Sequence, residues 1–173
     1  MKRFISAGYR SLLVLMLSLT PAAYADTSST SELYRLELQN TDNEAVDLSA
    51  YKGKILLLNF WATWCPPCVK EMPSMQRLRN HFSEQPFEII AINIGESSTA
   101  VSSFLLELDT ELTFPILLDE EGKSYQVFGI IGLPMTLLLD KQGELLSRTL
   151  GGKDWDSAAS IQLVQAALNA END

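Results

Sequence analysis

Ile55-Leu56-Leu57-Leu58-Asn59-Phe60-Trp61-Ala62-Thr63-Trp64-Cys65-Pro66-Pro67-Cys68 passes from one kind of sequence pattern to another. Ile55–Phe60 is a short, continuous apolar run, the pattern of a strand buried on both faces. After Cys68, the apolar residues Val69, Met72, Met75, Leu78 and Phe82 recur at helical spacing. Pro73 falls inside that helix. It removes one backbone donor and is expected to kink the helix rather than end it, because the spacing continues to Phe82. Both cysteines of the chain stand where strand gives way to helix. A Cys-x-x-Cys pair at such a turn can cycle between dithiol and disulfide. As a staple it would close only two intervening residues and remove little chain entropy. The pair therefore reads as reactive rather than structural.

Only a thiolate attacks a disulfide, and a helix N-terminus lowers a thiol's pKa through unpaired N–H groups and the helix dipole. Cys65 is expected at that terminus with its sulfur accessible, and Cys68, one turn in, is expected to be shielded. That order makes Cys65 the nucleophile and Cys68 the thiol that resolves the mixed disulfide. The two residues between them, Pro66 and Pro67, have no N–H to offer the Cys65 thiolate. No Arg, Lys or His lies between the cysteines. A modest pKa depression and a comparatively reducing couple follow, because strong oxidants owe their potential to a stabilised thiolate.

The N-terminus has the form of an export signal. Lys2, Arg3 and Arg10 precede or flank the apolar stretch Leu12–Leu19, and Ala23-Tyr24-Ala25 offers the small-x-small cleavage pattern. The stretch is short of the ~20 residues that span a bilayer. Cleavage of a signal peptide at residues 1–25 is expected, with an uncleaved membrane anchor as the alternative. Residues 26–32 are polar and read as a flexible leader. Residues 33–173 are the size of one ordinary domain. Residues 26–173 carry ten basic against 22 acidic side chains, a charge of −12, which repels phosphate backbones and argues against nucleic acid.

Leu33, Leu36 and Leu38 are read as the start of a strand that turns at Thr41-Asp42-Asn43 and returns through Ala45–Leu48. Phe87–Ile94 is a second continuous apolar strand. Val101, Phe104, Leu105 and Leu108 then mark a helix, capped by Ser97, Ser98 or Thr99. Ile116–Leu118 is a short strand, and Ser124–Phe128 is a turn or two of helix. Thr136–Leu139 and Glu144–Ser147 form a hairpin through Asp140-Lys141-Gln142-Gly143. Asp156 is read as the cap of a last helix with Ala159, Leu163 and Ala167 on its apolar side, and less regularly Ile161 and Leu168. Strands alternating with helices call for an α/β domain: a central, mixed, partly parallel sheet covered on both faces.

The segment Asn59 to Pro73 resembles the active-site region of the thioredoxin superfamily, and within it the TlpA/ResA-like periplasmic thiol–disulfide oxidoreductases. The resemblance extends in element order over residues 33–169, with Ile131-Gly132-Leu133-Pro134 as its second specific part. It implies a thioredoxin-like three-layer fold with an N-terminal β-hairpin and a strand–helix insertion near Ser97–Leu118. It also implies that Pro134 is cis and packs beside the redox cysteines. Leu133 would offer backbone hydrogen bonds to a bound substrate chain, and Trp64 would border the site. Thioredoxin has a buried aspartate where Asn59 stands, and Asn cannot act as a base. Glu71, three residues past Cys68, is the candidate for that role; its ordinary reading is a solvated helix-face carboxylate or a cap-like hydrogen bond. Met135 stands where thioredoxin-like proteins more often carry Thr, with Thr136 following.

By that resemblance the expected function is periplasmic reduction of protein disulfides, with no cofactor or metal, by a monomer. Electrons would come from a membrane thiol-transfer protein, and clients would lie in cytochrome c maturation or copper-site assembly. Three other readings compete with it. A copper or zinc site needs a third ligand, but His81 is thirteen residues past Cys68, about 20 Å along one helix. A peroxidase of this fold has a Thr-x-x-Cys context, whereas Thr63 is two residues before Cys65. A binding module that merely retains the pair would show no catalysed turnover.

Overall fold

The computed structural model describes residues 33–170, so the expected signal peptide and leader lie outside the described residues. The elements run β1 (Leu38–Asn40), β2 (Ala45–Val46), a 3-10 turn (Leu48–Tyr51), β3 (Ile55–Trp61), α1 (Pro66–His81), β4 (Phe87–Ile94), α2 (Ser98–Glu107), β5 (Ile116–Asp119), α3 (Lys123–Phe128), β6 (Met135–Leu139), β7 (Leu145–Leu150) and α4 (Ala158–Ala170). The strands form one mixed sheet in the order β2-β1-β5-β4-β3-β6-β7. Strands β3, β4 and β5 are mutually parallel, and the flanking pairs are antiparallel. This is the thioredoxin-like α/β fold.

All residues of β3 and β4 are buried because the sheet is covered on both faces. Side chains alternate between those faces. Ile55, Leu57, Ile89 and Ala91 point into a core shared with Met72, Met75 and Leu78 of α1, Val101 of α2, and Val164 of α4. Leu56, Leu58, Phe60, Ile90 and Ile92 point the other way, against Phe128 of α3 and Leu48 of the 3-10 turn. Each buried Leu, Ile, Val, Met or Phe side chain contributes about 1.5–3 kcal/mol by leaving water. Pro73 lies inside α1 without ending it. His81 closes α1 at the end opposite the cysteines.

Four expectations need correction. The N-terminal strand begins at Leu38, not Leu33; the Leu36 amide instead donates to the Leu33 carbonyl in a turn, and Leu33 is buried in the core. Its return ends at Val46, because the Asp47 carboxylate accepts from the Ser49 amide (2.8 Å) and starts the 3-10 turn at Leu48. Asp156 does not cap α4. Ser157 does, its hydroxyl accepting from the Ser160 amide, while Asp156 is drawn to Arg77 of α1, whose guanidinium holds that carboxyl at about 2. The buried side of α4 carries Ser160, Val164, Ala167 and Leu168, with Ala159 exposed. Ser97 is the cap of α2.

Candidate active site

Central strand β3 delivers the chain to its C-terminal end, and Ala62–Trp64 turn it into α1. Cys65 is the N-cap of that helix, with Pro66 and Pro67 as its first residues. The fixed φ of proline suits those positions, where an N–H would have no partner inside the helix. Cys65 and Cys68 form a disulfide with their Cα atoms 5.3 Å apart. Cys68 is fully buried and Cys65 is 4 % exposed. The shielding expected of Cys68 is present; the accessibility expected of Cys65 is not, because in the disulfide it packs in the same buried cluster as Cys68, against which Leu133 lies. The first-turn amides are already engaged. Cys68 N–H and Val69 N–H both donate to the Cys65 carbonyl (3.0 and 3.2 Å), and the prolines have none.

The two tryptophans of the motif separate. Trp61 is buried against the Phe104 ring (centroids 5.7 Å apart), whereas Trp64 is 68 % exposed beside Cys65. The turn that carries Trp64 is held from β4. Glu96 accepts from both the Thr63 amide (2.7 Å) and the Thr63 hydroxyl (2.5 Å), and from Asn93 Nδ2 (2.7 Å). On the other side, the Leu133–Pro134 peptide is cis, and Leu133 packs against the cluster that contains both cysteines. The Pro134 carbonyl accepts from Gly151 N–H (2.8 Å), tying this loop to the end of β7. Gly152 then passes so close to the motif that a Cβ on it would lie 3.2 Å from Pro67.

Glu71 is not a solvated helix-face residue. It is 3 % exposed, one helical turn beyond Cys68 on the same face of α1. One carboxylate oxygen accepts from Asn59 Nδ2 (2.7 Å); the other accepts from the Lys153 amide and the Trp155 indole N–H (3.0 Å each). Burial raises its pKa above the usual carboxylate value, against the opposing pull of those donors. Asn59 also donates to Thr136 Oγ1 (2.9 Å), its register partner across β3 and β6. Asn59 and Glu71 stand twelve positions apart in the sequence; the fold joins them in one buried network.

The Redoxin family profile matches residues 21–163. The chain belongs to the Redoxin family. Thiol-disulfide oxidoreductase ResA of Bacillus subtilis (strain 168) is 35 % identical over 153 residues, covering 86 % of this chain and 84 % of that protein. A crystal structure from Chlorobium tepidum, of a protein assigned as thiol:disulfide interchange protein DsbE, aligns with a TM-score of 0.69 at 28 % identity, covering 77 % of this chain and 92 % of that one. StoA of Bacillus subtilis aligns at 0.60 and 27 % identity, over 75 % and 93 % of the two chains. The chain is a ResA-like thiol–disulfide oxidoreductase whose Cys-x-x-Cys pair is Cys65–Cys68.

Reading residues in order missed three contributors to the site of this ResA-like protein: Glu96, Lys153 and Trp155. Glu96 had a usable signal, since it follows Gly95 directly at the C-terminal end of a parallel strand, where α/β sites gather. Trp155 had none. It lies far along the chain from Glu71 and reaches it only because the loop after β7 folds back over α1.

Proposed function

We propose that this protein is exported and reduces disulfides of other proteins. The Cys65 thiolate attacks one sulfur of a client disulfide, forming a mixed disulfide and releasing the client's other sulfur as a thiolate. Cys68 then gives up its proton and attacks Cys65 Sγ. The client's second thiolate leaves, and the enzyme is left with the Cys65–Cys68 disulfide. Two electrons from a membrane thiol-transfer protein restore the dithiol. Glu71 is the acceptor for the Cys68 proton: it lies one turn from Cys68, and burial favours its protonated form. Leu133 supplies backbone hydrogen bonds to the client chain, Trp64 borders the site, and Pro134 packs beside the cysteines.

The observation that supports the reductive direction is the first turn of α1. Two prolines and two amides already bonded to the Cys65 carbonyl leave a reduced Cys65 without free backbone donors there. A thiolate so weakly stabilised makes its disulfide harder to reduce and its dithiol a better reductant. Cleavage after Ala25 places this chemistry in the periplasm, and clients in cytochrome c maturation or copper-site assembly fit a reductant working there.

A Cys68→Ala variant tests the roles. It is expected to accumulate mixed disulfides with periplasmic partners, identified after purification, and to begin at Asp26. If Cys65→Ala traps the same partners as strongly, Cys65 is not the nucleophile. A product still beginning at Met1 removes the cleaved signal.

A further inference from the structure

The Glu71 carboxylate is met by three donors: Asn59 Nδ2–H, Lys153 N–H and Trp155 Nε1–H. That arrangement suits an ionised carboxylate and conflicts with a protonated one, whose O–H needs an acceptor. The Lys153 amide and the indole are fixed donors. The side-chain amide of Asn59 can exchange its two ends by turning about χ2. Asn59 is fully buried, and its Oδ1 has no hydrogen-bond partner, a costly state for a buried acceptor. Its other neighbour, the Thr136 hydroxyl, can donate as well as accept.

We infer that Asn59 is an amide switch for the proton on Glu71, presenting Nδ2 to the carboxylate and Oδ1 to the carboxylic acid. This rests on the reading of Glu71 as the acceptor for the Cys68 proton. When that proton arrives, the amide turns over, Oδ1 accepts the Glu71 O–H, and Thr136 turns its hydroxyl to donate to the same oxygen. When Glu71 loses the proton toward solvent, the amide returns. No covalent bond changes apart from the transferred proton. Asn59 is thus a positioning residue: it touches the proton carrier, not the client. The charged groups around Glu71 are Lys70 and Arg77 on α1, and Lys153 and Asp154 on the loop after β7, all lining the same cleft. Asn59 and Thr136, from the sheet, are uncharged, so the sheet side answers the proton by reorientation rather than by titration.

The test is a pH titration of the reduced, isotope-labelled protein by NMR, following the Glu71 carboxyl carbon and the Asn59 side-chain amide. The amide resonances are expected to move with the midpoint of Glu71, and the contact between the Asn59 amide protons and Thr136 to be lost on the acid side. Glu71→Gln supplies the locked state. Lys153 N–H and the Trp155 indole hold the side-chain oxygen of the introduced glutamine on their side, which points its NH₂ at Asn59 and forces Oδ1 toward it at every pH. Asn59→Asp, with a fixed acceptor beside Glu71, is expected to move the Glu71 titration up by at least about one pH unit. If the Glu71 carbon titrates while the Asn59 amide stays still, the switch is wrong and the acceptor role of Glu71 survives. If Glu71 does not titrate at all, both fall. An Asn59 amide in Glu71→Gln that keeps the high-pH wild-type signature also overturns the switch.

Discussion

Cys65 and Cys68 are separated by one turn of helix and face different surroundings. The Cys65 side is formed by exposed Trp64, Pro66 and Pro67, and its backbone amides are absent or already bonded. The Cys68 side leads into a buried polar network of Asn59, Glu71, Thr136 and Trp155. On the proposed mechanism, reactivity at the first is adjusted by leaving donors out, and proton handling at the second by putting polar groups in. Electron transfer and proton transfer can therefore be perturbed separately, and substitutions on the two sides should give different signatures.

The sharpest separation comes from Cys65→Ser. Disulfide-reductase turnover is expected to fall by at least about a hundredfold, the scale of losing an activated nucleophile, with the far-UV spectrum unchanged. Residual turnover near wild type would place the attack elsewhere.

Glu71→Ala on the other side is expected to cost stability first. It leaves the Lys153 amide and the Trp155 indole without their acceptor and takes one of two acceptors from Asn59 Nδ2, and with partial relaxation about 2–4 kcal/mol should be lost in urea melts. The milder Glu71→Gln isolates the charge. Glu71 has its pKa raised from 4.5 in the folded state, so it binds its proton more tightly folded than unfolded. Its contribution to stability is full below the unfolded value and is lost as pH rises through the folded value. Wild type should therefore lose stability relative to Glu71→Gln as pH increases from 4.5; a difference independent of pH would show that the charge is not penalised by burial.

Glu96→Ala probes the support of the Cys65 side. Thr63 loses both partners at a half-buried turn, and a loss of about 1–2 kcal/mol with slower attack by Cys65 is expected, leaving the pH profile of the Glu71 network in place. A changed Glu71 profile would mean that the two sides are coupled. Trp64→Ala should do least to the fold, within about 0.5 kcal/mol, because the ring is largely in water. Its effect should be a several-fold rise in KM for protein disulfides and none for a small disulfide; equal effects on both would remove Trp64 from client binding.

What the sequence disclosed follows the range of the forces involved. Ile55–Phe60 and Phe87–Ile94 were legible as buried strands because continuous apolar runs report two-sided cover directly. The helix after the cysteines was legible from its spacing despite Pro73. Short polar choices were harder. Asp47 and Ser157 each fix an element's start through local hydrogen bonds that several neighbouring Ser and Asp residues could equally make. The pairing of Glu71 with Trp155 spans half the domain and has no periodicity to betray it. Asn59 was visible as a departure from thioredoxin, but its meaning needed the carboxylate beside it.

The reductive direction can be measured outright, as the midpoint potential of the Cys65–Cys68 couple at pH 7, by equilibration with thiol buffers of known potential and trapping of the free thiols. The donor-poor turn at Pro66-Pro67 requires a value toward the reducing end of thioredoxin-fold couples, about −270 mV. A value near about −120 mV, that of the strongest thioredoxin-fold oxidants, would contradict it.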